Sequence, residues 1–283
     1  MKITTPLNKI AYQEWGSPDN PPLLALHGWL DNSASFENIA PYITKLGYRL
    51  VGMDFPGHGH SGWRPPNTVY SFIDFLADIA AFADEMGWEK FSIIGHSMGG
   101  GLASLFAGTF PDRVDKLILI EALGPITREA DEAPKYLSQA IRRFIEHSKQ
   151  PKRTTFKDIE QLVRLRLRTG VLKFESAKIL MERGTEVCSE GEGICLRRDP
   201  RLNLPSFLRL TESQVLEFLK RIACPTALIW GENGYTWEKE FMDARSLSVH
   251  NLTQIIVPGH HHLHMDEPEP VALEIGKWLK SLE

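Results

Sequence analysis

The chain has 283 residues, 42% hydrophobic and 24% charged. That balance fits a globular protein of one large domain, or one domain carrying an insertion, and excludes collagen-like and disordered classes. Thirty-two Lys+Arg against 36 Asp+Glu leave a net charge of −4, which argues against nucleic acid as the main partner.

Residues 1–16 contain no apolar core and no cleavage pattern, so no export signal is expected. No window approaches about 18 consecutive apolar residues, so no membrane span is expected either. Residues 3–15 look extended and should add antiparallel edge strands. Short apolar runs then follow at 23–26, 48–53, 91–94, 117–120, 226–230 and 253–257. Each is too short for a helix and reads as a strand buried on both faces. Between them, residues 71–86 place Phe72, Phe75, Leu76, Ile79, Phe82 and Ala83 at helical spacing, and 268–282 do the same with Val271, Ile275, Trp278 and Leu279. Strands alternating with helices imply an α/β fold with a mostly parallel, doubly wound sheet.

The alternation stops between about 124 and 222. Residues 136–145, 156–167 and 211–222 read as helices, the last opening on the capping-box spacing Thr211-x-x-Gln214. The chain therefore divides into a core, 1–123 and 222–283, and a helical cap, 124–221, inserted between two strands. Charge divides with it: residues 135–221 hold 19 basic and 11 acidic residues, net +8, and the remainder is net −12. Either the basic roof attracts anionic substrates, or the cap is held partly by attraction to an acidic core. Cys188, Cys195 and Cys224 are few, odd in number and without a CxxC pair. They read as buried or idle thiols, not a disulfide framework, in a reducing cytoplasm.

The sharpest motif is Gly95-His96-Ser97-Met98-Gly99, between the apolar run 91–94 and a helical pattern at 102–110. It is a nucleophile elbow, G-x-S-x-G, in its strand–turn–helix setting. The turn is so tight that Gly95 and Gly99 must be very small, and the helix start aims N–H groups at charge developing beside Ser97. A Ser hydroxyl needs a general base. Four histidines, His260, His261, His262 and His264, follow the last strand-like run, where this topology places its base. Their H-H-H-x-H spacing supplies no metal motif and no carboxylate partner set, so no metal is expected. The acid that orients the base should lie between Ser and His in the chain. Glu121 and Glu232 both end strand-like runs, and the residues alone leave the choice open. Two oxyanion donors are expected: the N–H of Met98, and the N–H of Trp29 in the turn Leu26-His27-Gly28-Trp29.

With these motifs in place, the chain resembles the α/β-hydrolase superfamily, and more closely its serine hydrolase-like branch, sometimes called kraken-like. The matching stretches include Leu26-His-Gly-Trp-Leu-Asp-Asn32, Met53-Asp-Phe-Pro-Gly-His-Gly-His-Ser61, Ile94-Gly-His-Ser-Met-Gly-Gly100, Arg197-Arg-Asp-Pro-Arg-Leu202 and Val257-Pro-Gly-His-His-His-Leu-His-Met-Asp-Glu-Pro268. They span nearly the whole chain. The resemblance implies His261 as the base, by its spacing to Pro268. It usually implies an acid in a G-x-x-D pattern after the seventh core strand, but here that stretch is Gly231-Glu-Asn-Gly234. Some relatives place the acid after the preceding strand, which favours Glu121 over Glu232. Relatives that act as dehalogenases or epoxide hydrolases use an Asp nucleophile, and Ser97 occupies that place. Asp54 resembles a structural turn residue.

The expected activity is cleavage of a small-molecule carboxylic ester through an acyl-enzyme, with no cofactor. A thioesterase or C–C bond hydrolase, a luciferase-like oxygenase and a non-catalytic receptor are the alternatives on this scaffold. Arg198 or Arg201 in the cap could bind an anionic group, although an Arg–Asp199 pair bracing the cap is the favoured reading. Substrate identity and oligomeric state are not legible in the sequence.

Overall fold

A computed structural model describes residues 1–149, 154–188, 193–236 and 239–283. Eight strands form the main sheet: β1 Lys2–Thr4, β2 Lys9–Trp15, β3 Pro22–Leu26, β4 Arg49–Met53, β5 Phe91–His96, β6 Val114–Ile120, β7 Thr226–Asn233 and β8 Leu252–His260. Their spatial order is β1-β2-β4-β3-β5-β6-β7-β8. The first two pairings, β1 with β2 and β2 with β4, are antiparallel and the rest parallel, as the extended N-terminal segment suggested.

Because side chains alternate across a strand, each apolar run feeds two cores. Leu24 and Leu26 of β3 join Val51, Ile93, Leu117 and Leu228 beneath helices Asp74–Glu85 and Met98–Thr109. Leu23 and Ala25 join Leu50, Ile94, Ile118 and Ile229 against helices Ala40–Lys45 and Pro268–Lys280. Burial on both faces therefore holds for the central strands. It fails for the run at 253–257: β8 is the edge strand and only Val257 within it is buried. A strand with one neighbour cannot be covered on all sides, and its Ile256 is 71% exposed.

Between β6 and β7 the chain forms helices Ala133–Lys149, Ile159–Leu167, Phe174–Arg183 and Glu212–Lys220. The Thr211–Gln214 capping box is present. A small antiparallel sheet, absent from the sequence reading, orders Thr155–Phe156, Ile194–Leu196 and Thr185–Val187 side by side. Strands of two or three residues carry too little periodicity to be read. The segment's own apolar cluster contains Leu162, Val163, Leu180 and Met181, with Met265 as the one buried member from outside it. Its last helix is different: Val215 and Leu219 are fully buried in the main core, beside Leu102 and Phe106.

Charge joins the rest. Arg183 meets the buried Asp54 at 2.7 Å, Arg166 meets Asp31 at 3.1 Å and Lys173 meets Glu267 at 2.7 Å. The charge division is thus partly an attraction between a basic insertion and acidic core residues. Asp54 also accepts from the Ser33 and His60 N–H groups, consistent with a structural turn residue.

The cysteine expectation needs correcting. Cys188 and Cys195 are disulfide-bonded, with Cα atoms 5.3 Å apart. Cys188 directly follows Thr185–Val187, and Cys195 is the middle residue of the paired strand Ile194–Leu196, at a separation a disulfide spans. Counting cysteines over the chain cannot reveal a single local bridge. Cys224 is a free, buried thiol. No helix among the described residues is long and apolar enough to cross a membrane.

Candidate active site

Ser97 stands between β5 and the helix Met98–Thr109 with φ 52° and ψ −116°. A non-glycine residue held there stores about 1–3 kcal/mol of strain. Three features hold it. Its N–H donates to the Ile120 carbonyl of β6 at 3.0 Å. A Cβ on Gly95 would lie 2.5 Å from the Gly99 carbonyl oxygen. A Cβ on Gly99 would collide with the Leu26 carbonyl and lie 2.8 Å from that of His27. The helix is buried along nearly its whole length, so packing offsets the low helix propensity of Gly99, Gly100 and Gly101.

His261 arrives from the turn after β8. Its Nε2 lies 3.0 Å from Ser97 Oγ and its Nδ1 lies 3.1 Å from Glu121 Oε2. Glu121 directly follows β6, is 1% exposed and has φ 58°. Its carboxylate also accepts from the Gly231 N–H (2.7 Å) and the Tyr235 N–H (2.6 Å). A carboxylate in this place accepts the His261 Nδ1–H and leaves Nε2 unprotonated, free to accept from Ser97. Glu232 lies on β7 and is exposed, outside the row Glu121–His261–Ser97. Gly234 explains the departure from G-x-x-D. A Cβ there would lie 2.5 Å from Glu121 Cδ and closer still to Oε1. The carboxylate from β6 fills the space that a side chain from β7 would need.

The other histidines have separate partners. His96 donates from Nε2 to the His261 carbonyl (2.8 Å), steadying the loop that carries His261. Burial, with His264, His261 and His262 around it, pushes its pKa well below the ordinary imidazole value. His264 meets Ser35 Oγ at 2.7 Å and is likewise depressed by burial. His260 contacts the Asn233 carbonyl. His262 donates to Asp31 Oδ2 while Arg166 donates to Oδ1. Despite the cost of burial, these partners hold Asp31 far below the usual carboxylate range.

Sequence reasoning missed this Asp31–Arg166–His262 cluster. Asp31 and Arg166 are 135 residues apart, and no local pattern links them. Asp31, His96 and His262 place one potential ligand atom each within 4.8 Å of one another. A cation there would face the Arg166 guanidinium, which already bonds Asp31 and lies 3.0 Å from His262 Nε2.

Two cavities meet at Ser97, Trp29 and His261. One, about 540 Å³, is walled by the Gly28–Asn32 turn, His262 and insertion residues including Leu162, Arg166 and Arg198. The other, about 460 Å³, is lined by Met98, Glu121, Phe72, Phe75 and Leu208 among others. The N–H groups of Trp29 and Met98 have no protein acceptor among the described residues. Trp29 lines both cavities and Met98 the smaller one, each beside Ser97. Of the two cap arginines singled out, Arg201 forms a forked pair with Asp199 (2.6 Å to Oδ2), whereas Arg198 lines the larger cavity.

The comparisons with known proteins bear on the fold and the family. A family model described as alpha/beta hydrolase fold matches residues 21–175. Human serine hydrolase-like protein 2 is 34% identical over 99% of this chain and 93% of its own length. A crystal structure of a hypothetical protein from Pseudomonas aeruginosa superposes with a TM-score of 0.91 at 36% identity, covering 100% of this chain and 98% of the other. A thioesterase domain from the curacin biosynthetic pathway gives 0.83 at 27% identity, covering 97% of each. The chain belongs to the α/β-hydrolase family, on its serine hydrolase-like branch.

Proposed function

We propose that this protein hydrolyses carboxylic esters through an acyl-enzyme. The observation that carries the reading is the hydrogen-bonded row Glu121–His261–Ser97 at the junction of two cavities. Ser97 Oγ attacks the ester carbonyl as His261 Nε2 takes its proton. Glu121 fixes the imidazole tautomer and balances the charge that forms on it. The N–H groups of Trp29 and Met98 receive the oxyanion, and loss of one such donor raises the barrier by about 3 kcal/mol. His261 then protonates the leaving alkoxide and activates the water that releases the acid. Residues 124–221 act as a cap that completes the substrate cavities, and no step requires a cofactor.

A fluorophosphonate probe tests the nucleophile: it labels the wild type and leaves Ser97→Ala unlabelled. Labelling that persists in Ser97→Ala removes the proposal. For the acid, Glu121→Gln lowers kcat by roughly 10³–10⁴, because an amide favours the wrong tautomer. Glu232→Gln leaves kcat within about twofold, as expected of a surface change. The reverse order reassigns the acid. Thioester cleavage is the second reading, favoured by the similarity to the curacin thioesterase domain. Comparing kcat/KM for matched oxygen and sulfur esters decides between them.

A further inference from the structure

We propose that Arg198 is a carboxylate subsite in the cavity beside Ser97, so that the favoured substrate is an ester bearing a carboxylate at one end. This rests on the hydrolase reading above and names its substrate class.

The basis is a charge count inside the larger cavity. Several arginines of the insertion end at an acid, of the core or of the insertion itself. Arg166 bonds Asp31, Arg183 bonds Asp54, Arg197 bonds Glu186 and Arg201 bonds Asp199. Arg198 lines the same cavity as Ser97 and is partly buried. Among the described residues it has neither an ion pair nor a hydrogen bond. Burial and the nearby Arg166 charge push its pKa below the ordinary arginine value, and Asp31 offsets this only in part. Asp31 already serves Arg166 and His262. A guanidinium drawn partly out of water without a partner is unfavourable. A bound anion removes that cost and uses the planar fork of donors that suits a carboxylate.

The same count selects the charge of the ligand. One cation is left over in this cavity, which matches a monoanion and leaves half of a phosphate dianion unmatched. The second cavity suits the uncharged part of the substrate. Phe72, Ile73, Phe75 and Leu208 line it. Its two arginines, Arg143 and Arg209, are exposed, and Arg209 lies over the Tyr136 ring.

The test compares p-nitrophenyl half-esters of adipic acid with p-nitrophenyl hexanoate, and 6-acetoxyhexanoate with hexyl acetate. The first pair places the carboxylate on the acyl side, the second on the alcohol side. The readout is the charged-to-neutral ratio of kcat/KM. Arg198→Met should lower that ratio about 10–100-fold in at least one pair, the range of a lost charge-assisted hydrogen bond. Arg198→Lys should retain part of it. A ratio that Arg198→Met leaves unchanged in both pairs, with esters still turned over, overturns the subsite and spares the hydrolase reading. A second measurement does not depend on turnover: calorimetric binding of monomethyl adipate to Ser97→Ala. Adding Arg198→Met should weaken that binding at least tenfold. If no ester is turned over but this binding depends on Arg198, the subsite stands and the hydrolase reading falls. Equal affinity with and without Arg198 overturns the subsite.

Discussion

Gly234→Ala isolates the role of Glu121 with one methyl group. The backbone at Gly234 does not have a positive φ, so alanine brings no conformational strain. The new Cβ would lie 2.5 Å from Glu121 Cδ, whereas carbon atoms rest about 3.5–4.0 Å apart. The carboxyl must therefore move by about 1 Å. It cannot do so freely, because the N–H groups of Gly231 and Tyr235 hold it at 2.7 and 2.6 Å. The contact that gives way is the 3.1 Å bond to His261. A displacement of 1 Å in a positioned group costs roughly 10²-fold in rate, so kcat for p-nitrophenyl acetate should fall about 100-fold. KM should change little, since Gly234 does not line either cavity. Steady-state kinetics beside a thermal unfolding curve separates this from misfolding. Moving the acid gives the complementary experiment. Glu121→Ala/Gly234→Asp returns a carboxylate from the β7 side and should recover activity over Glu121→Ala alone. If Gly234→Ala keeps wild-type kcat, the assignment of Glu121 through this geometry is wrong.

Two further outcomes follow from burial. Arg183→Met strands the buried Asp54 with only its backbone donors. It should lower the unfolding free energy by about 3 kcal/mol, with Asp54→Asn/Arg183→Met recovering part of the loss; urea titration giving under 1 kcal/mol would show the pair to be incidental. His58 is buried and its pKa is pushed down to about 3, so below pH 6.5 the unfolded chain binds the proton that the folded chain refuses. Stability therefore falls as pH drops from 6.5 toward 3, by about 2 kcal/mol at pH 5 from this residue. His96 and His264 act in the same direction. Urea curves at pH 7 and pH 5 measure the slope, and His58→Phe should make it shallower; an unchanged slope would mean that His58 titrates normally.

The sheet and the elbow were legible because both are written locally. Apolar runs alternate between two cores, and Gly95 and Gly99 mark a turn that larger residues cannot close. Among the histidines, His261 stood out as the candidate base only through its spacing to Pro268. Four histidines within residues 260–264 are equivalent by composition, and what separates them is the wall each ring meets: Asn233, Glu121 and Ser97, Asp31, or Ser35. Glu121 and Glu232 were likewise a tie in the residues alone. The glycine at 234 was a usable signal, since a bare backbone there leaves room for an acid from the neighbouring strand. The Asp31–Arg166–His262 cluster and the exposed edge of β8 depend on which segments become neighbours in space, which no window of sequence contains.

The insertion is fastened both by packing and by charge. Near its return to β7, Val215 and Leu219 are sealed in apolar packing. Around Arg166, Lys173 and Arg183 the fastening is ionic. Oil and charge answer to different variables: apolar contact weakens on cooling, while ion pairs weaken with salt to the extent that water reaches them. Lys173–Glu267, the most open of the three pairs, is the first that ionic strength will loosen, and Arg183–Asp54 the last. The cavity wall at Arg166 rests on a pair that water barely reaches, so salt loosens the insertion first at Lys173, which does not line that cavity.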